Sequence, residues 1–200
     1  VKKHGLDYLR FSAKTLERLK RLRWINQFQS HIEIADFSES ALIEALDDWF
    51  CPFIDKTFTL KGLVQLNFNE MLLSRLDYSQ QQLCSRIAPT HYSSPTGRRC
   101  AISYSEAESP KVSLPMQELY GESETPSVGD SLSHKKIPLL LELLSPAQRP
   151  IQITQDLPTF WQGSYSAVQK DMKSQYPKHY WPENPATAKP TNKTKRHINE

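Results

Sequence analysis

Of the fourteen prolines in this 200-residue chain, Pro52 alone precedes residue 89. Proline fixes φ and removes a backbone donor, so neither a long helix nor a central strand runs through it. The first 88 residues are therefore free to build helices, whereas the remainder must break into short pieces joined by stiff, irregular connections. With six glycines in the whole chain, those connections owe more to proline than to glycine flexibility. A length of 200 residues admits one core or two small ones. The change of texture at Pro89 favours two.

The first half carries helical periodicity. Leu6, Leu9, Leu16, Leu19, Leu22 and Trp24 recur near helical spacing, with Arg10, Lys14, Arg18, Lys20 and Arg21 on other faces, which predicts an amphipathic basic helix. A second helix opens near Ser38, uses Leu42, Ile43, Leu46, Trp49 and Phe50 as its apolar stripe, and stops at Pro52. Short helices are expected over 60–66 and 69–76. The Ser79-x-x-Gln82 spacing predicts a capping box for another that ends before Pro89. Short helices with short links make a helical bundle over residues 1–88.

The run from Pro89 to Gly97 is turn and loop chemistry, and the chain beyond Gly97 is strand-like. Cys100, Ile102 and Tyr104 alternate with smaller or polar neighbours, as do Val112 and Leu114, and 137–144 and 150–154 supply two further candidates. A short helix over 115–120 has Pro115 at its first turn. Four or five short strands with an inserted helix predict a small, partly open, oligonucleotide-binding-like (OB-like) β-barrel over 89–155. From Asp156 to Pro182 the chain is an aromatic, helical extension: Leu157, Phe160 and Trp161 lead into a helix capped near Ser164, with Tyr165, Val168, Met172 and Tyr176 on one face. Residues 183–200, with Lys189, Lys193, Lys195 and Arg196 among prolines, read as an extended or disordered basic tail. The expected fold class is α+β: a bundle, an OB-like barrel, a helical extension and a tail.

The formal net charge is +3, but the charge is sorted along the chain. Residues 1–29 hold eight Lys/Arg against two acids, and residues 30–84 hold nine Asp/Glu against three Lys/Arg. Internal pairing and a nucleic-acid surface both fit that sorting. Cys51, Cys84 and Cys100 lack metal or redox spacing and read as reduced thiols of a cytoplasmic protein. The longest apolar stretch, 137–144, is interrupted by Pro138 and Glu142 and is too short for a membrane span. The chain opens on Val1, with residues that read as helix interior, so a piece of a longer protein is expected.

The search for chemistry yields mainly exclusions. There is no Gly-Lys pair for a phosphate-cradling P-loop and no Asp-Glu pair for a magnesium motif, so no ATP site is expected. The six histidines are scattered without zinc spacing, and no G-x-S-x-G elbow is present. Neither catalytic residues nor a metal site is expected in this chain.

Three motifs carry a resemblance. Leu144-Ser145-Pro146-Ala147-Gln148-Arg149-Pro150, Phe160-Trp161-Gln162-Gly163-Ser164-Tyr165 and Tyr176-Pro177-Lys178-His179-Tyr180-Trp181-Pro182 closely resemble the C-terminal signature of the HrpB family of bacterial DEAH-box helicases. Weaker likeness runs through Leu119-Tyr120-Gly121 with Glu124-Thr125-Pro126, through Ala88-Pro89-Thr90-His91, and back to Trp49 and Pro52-Phe53. Gln155 and Ser174-Gln175 depart from the family pattern, which weakens phosphate contact at those positions. The resemblance implies a helix-bundle region that follows a helicase motor, then an oligonucleotide-binding fold with a family-specific extension. It further implies that ATP and magnesium belong to the parent helicase and not to this piece, and that single-stranded RNA or DNA and the motor domains are its partners.

Basic residues interleaved with aromatics suit single strands, where phosphates are neutralised and bases stack at ~1–3 kcal/mol each. Arg98, Arg99, Arg149, Lys178, His179 and Trp181 are the candidate nucleic-acid-binding residues. Trp161, Tyr165, Val168 and Met172 fall at helical spacing and read as core. A protein-interaction module or a structural brace on the motor is the alternative function.

Overall fold

Ser12 opens the longest helix, α1 (Ala13–Phe28): its hydroxyl accepts the Thr15 amide, satisfying one of the orphan donors at the helix start. In the computed structural model that hydroxyl also bonds the Thr15 side chain. Residues 1–54, 59–105, 107–133 and 135–197 are described. They divide into two units: Val1–Ala88 with Tyr104–Glu108 and Gly129–Lys135, and Pro89–Ser103 with Ser109–Val128 and Lys136–Glu200. No helix among the described residues is long and apolar enough to cross a membrane.

The first unit is helical. After α1 come α2 (Glu39–Glu44), α3 (Leu46–Trp49), α4 (Phe68–Leu73) and α5 (Tyr78–Ile87), with short 3-10 segments at Leu6–Leu9, Cys51–Phe53 and Leu60–Gln65. The stripe expected after Ser38 is present but breaks at Ala45, which closes α2 and opens α3. Trp49 is fully buried there, its indole N–H donating to the Leu42 carbonyl at 2.8 Å. The capping box of α5 is formed by Asp77 and Gln80 rather than Ser79 and Gln82, because the helix starts earlier than the Ser79 spacing predicts. Ser79 donates to the Asp77 carboxylate instead.

The basic segment of α1 is turned inward at three places. Arg21 Nε donates to the carbonyl of Ala88, the residue that ends α5, at 2.9 Å. Arg23 Nε donates to the Phe37 carbonyl at 2.8 Å, and Arg18 bonds the Asn69 side chain. Burial lowers the pKa of Arg18 and Arg21. These guanidinium groups fasten α1 to neighbouring segments of the first unit.

The second unit contains β1 (His91–Ser93), β2 (Arg99–Ser103), β3 (Lys111–Pro115), β6 (Leu140–Leu144) and β7 (Pro150–Thr154) in one sheet, ordered β1-β2-β3-β6-β7. A separate hairpin pairs β4 (Ser127–Asp130) with β5 (Lys135–Pro138), and its tip, Gly129–Lys135, belongs to the first unit. The alternation predicted for Cys100 and Ile102 holds: both are buried between exposed Arg99, Ala101 and Ser103. Among the described residues the five strands form an open sheet and not a closed barrel. β1 and β7 stand at opposite edges, and no pairing among the described residues joins them. β3 and β6 run parallel, which a chain of simple hairpins does not produce.

Two helices complete this unit: α6 (Leu157–Gln162), capped by Asp156, and α7 (Tyr165–Gln175). Ser164 precedes α7, but its side chain makes no capping bond. Tyr120, Phe160, Trp161 and Tyr165 pack edge to face or tilted, with ring centroids 5.1 to 6.4 Å apart. Burial pushes the Tyr165 hydroxyl up to about 12. From residue 183 the tail stays against this unit: the Gly121 amide donates to Pro185, the Thr191 amide donates to Gln117, and Thr191 is buried. Residues 198–200 of the tail lie outside the described residues.

Candidate nucleic-acid interface

Strand register decides where the candidate residues stand. Ser93 pairs with Arg99, Pro115 with Leu144, and Leu144 with Pro150. β2 and β7 therefore begin where β3 and β6 finish. The turn 94–98, which carries Arg98 and leads into Arg99, leaves from the same end of the sheet as the turn 145–149, which carries Arg149.

Arg98 is anchored from below. Its Nη1 donates to Glu118 Oε1 at 3.2 Å, while the hydroxyls of Ser94 and Thr96 donate to Glu118 Oε2 at 2.9 and 2.8 Å. Glu118 is fully buried, and a buried carboxylate is tolerated only with such donors. The Arg98 side chain remains 47% exposed, so the pair fixes its direction without hiding it. Arg99 is exposed, its Nη2 standing 3.5 Å from His91 Nδ1 on the neighbouring strand. Arg149 is exposed, and its guanidinium has no protein partner among the described residues.

Lys178 and His179 lie on a loop that is tied to the segment following β3. Gln117, two residues beyond the last residue of β3, donates through Nε2 to the Tyr180 carbonyl at 2.7 Å and accepts the Thr191 amide at 3.0 Å. Lys178 is exposed; its carbonyl accepts the Lys195 amide at 2.9 Å, and Lys195 Nζ donates to the Pro177 carbonyl. From Lys178 to Arg196 there are five Lys/Arg against one acid, Glu183, so the segment brings net positive charge with it. His179 is half-buried, with Nδ1 unpartnered among the described residues and the ring edge-on to Tyr176. Burial lowers its pKa, which favours the uncharged ring.

Trp181 is 6% exposed and donates its indole N–H to the Tyr176 carbonyl at 2.9 Å, which closes the loop ahead of it. Its ring is packing surface. Trp161, Tyr165 and Met172 are buried as their spacing predicts, and Val168 is half-buried. The aromatics between the cations are thus framework for a charged surface. Sequence reasoning missed Glu118 and Lys195. Glu118 had a signal in hindsight, since it is the one charged residue in the run from Val112 to Tyr120. Lys195 had none, because its place depends on the tail folding back.

Residues 49–185 match the family of ATP-dependent helicase C-terminal regions. The chain is 39% identical over 197 residues to the ATP-dependent RNA helicase HrpB of Escherichia coli (strain K12), which covers 98% of this chain and 24% of that protein. It therefore spans about a quarter of the curated relative it matches. Among solved structures, the E. coli DExH-box NTPase HrpB superimposes with a TM-score of 0.87 at 39% identity, over 96% of this chain and 23% of the other. A second, of the Escherichia coli DEAH/RHA helicase HrpB, gives a TM-score of 0.74 at 37% identity, over 90% and 22%.

Proposed function

The chain belongs to the HrpB family of ATP-dependent helicase C-terminal regions, and from that membership we propose that it is an accessory part that holds single-stranded RNA or DNA beside a helicase motor. The observation that carries the reading is that the turns bearing Arg98, Arg99 and Arg149 leave from one end of one sheet; Lys178, exposed on the loop tied to the segment after β3, adds a further cation. Exposed cations on a rigid platform neutralise phosphates without reading bases, which suits a strand that must move past. In this reading the second unit acts as an open variant of the oligonucleotide-binding barrel. Hydrolysis of ATP with magnesium belongs to the rest of the parent protein, and the motor domains are its intramolecular partners in the cytoplasm.

The test is titration of a labelled single-stranded oligonucleotide, followed by anisotropy across a range of salt. Removing Arg99, Arg149 or Lys178 should weaken binding about equally for every sequence and lower the salt slope by about 0.7 per cation. Absence of binding at high micromolar protein and low salt overturns the proposal. A second reading, docking onto the motor, is favoured by Val64 and Tyr78 of the first unit, 84% and 76% exposed. In the full-length helicase, Val64→Asp with Tyr78→Asp should then reduce unwinding while oligonucleotide affinity of the present chain is unchanged.

A further inference from the structure

Two hairpin turns of the second unit are built to one plan. Ser94-Pro95-Thr96-Gly97-Arg98 joins β1 to β2, and Ser145-Pro146-Ala147-Gln148-Arg149 joins β6 to β7. In both, the serine amide donates to the arginine carbonyl at 2.8 Å. The fourth residue has positive φ, 84° at Gly97 and 62° at Gln148, and donates its amide to the serine carbonyl at 2.8 and 2.9 Å. The arginine amide donates to the serine hydroxyl at 3.2 Å in both. Both serines are buried, 5% and 1% exposed. A non-glycine residue at positive φ is uncommon, and Gln148 adopts it where the twin turn has glycine.

The turns also leave from matching rows. Ser93↔Arg99 flanks one and Leu144↔Pro150 the other, and continuing the β2–β3 register from Ile102↔Val112 brings Arg99 level with Pro115, the partner of Leu144. Three strand spacings separate the turn centres, about 14 Å on a flat sheet. At roughly 3.4 Å per stacked nucleotide that is the reach of about four nucleotide steps.

We propose that the twin Ser-Pro-x-x-Arg turns form a two-pronged clamp, in which Arg98 and Arg149 grip two phosphates of one single strand about four nucleotides apart. This deepens the proposed function and rests on it. The prongs differ: Arg98 is held by Glu118, whereas Arg149 has no side-chain partner among the described residues and adjusts to the strand. Because each prong meets backbone phosphate, the clamp sets a minimum strand length and no sequence preference.

The experiment measures binding of this whole chain to oligothymidylates of two and six nucleotides. A step in affinity between the two lengths is expected. Arg149→Gln should remove the step, costing about tenfold on the hexamer and under about twofold on the dimer. Arg98→Gln should do the same, and Arg98→Lys should restore most of it by keeping the charge. Arg149→Gln decides the matter alone if Arg98→Gln disturbs folding, since its side chain holds nothing else among the described residues. Lys170→Gln and Lys173→Gln on α7 are the charge controls. If the chain binds strands with a salt slope due to Arg99 and Lys178, while both arginine variants behave like the controls, the clamp is wrong and the broader reading keeps strand binding but loses Arg149. If no strand binds, the broader reading fails as well. Equal competition by polyglutamate of matched charge, with the same dependence on Arg98 and Arg149, overturns the assignment to phosphate in favour of an acidic peptide.

Discussion

A carboxylate shut away from water must find donors inside the protein, and Glu118 finds three within one turn of chain: Ser94, Thr96 and Arg98. Its truncation would leave two hydroxyls and half of a guanidinium without their acceptor. Glu118→Ala is expected to cost about 2–3 kcal/mol, read from urea unfolding midpoints, and Glu118→Gln less, because the amide oxygen still accepts from the hydroxyls. A second residue-level prediction concerns acid. Asp130 is held down to about 2 by the Ser133 hydroxyl, then the Leu132 amide, then His31 at 3.2 Å. Its folded pKa lies below the ordinary value of 3.8, so its contribution is complete above that value and is lost as pH falls towards about 2. Asp130→Asn should flatten the stability profile in that window, as followed by urea midpoints against pH.

Among elements, α1 shows how a charge pattern misleads. Its basic face has the composition of a nucleic-acid surface, yet Arg18, Arg21 and Arg23 donate to partners inside the first unit. Arg21→Met should therefore lower stability by about 1.5–3 kcal/mol, the worth of a hydrogen bond to a charged group, without changing the salt slope of oligonucleotide binding. A lowered slope with unchanged stability would reverse that assignment. The helices themselves were legible because burial imposes a period: Leu42, Leu46 and Trp49 are core, and so are Leu19 and Leu22. Boundaries were less so. Ser79 offered the right spacing for a cap, but Asp77, a stronger capping residue, stands two positions earlier and took the role. β1 hid among turn residues because a three-residue edge strand carries almost no alternation to read.

At the scale of the molecule, sequence pattern gave strands but could not tell that β3 and β6 run parallel, and this pairing is what brings both arginine turns to one end of the sheet. The repeated Ser-Pro-x-x-Arg was visible in the chain; its meaning needed the register. The tail was the harder problem, since composition alone made it a solvated arm, while the structure ties it to the unit through Gly121–Pro185, Gln117–Thr191 and Lys178–Lys195. Those bonds run through the backbone, which composition does not report, and the charges ride on side chains. The two contributions can be separated. Replacing Lys189, Lys193, Lys195 and Arg196 together by glutamine keeps the backbone bonds, so the thermal midpoint should hold while the salt slope of single-strand binding falls. Ending the chain after Pro182 removes both, and midpoint and slope should fall together. If the neutralised chain binds as tightly as the parent at every salt concentration, the tail is a fastening for the loop that carries Lys178, and the charge that meets the strand comes from the sheet end alone.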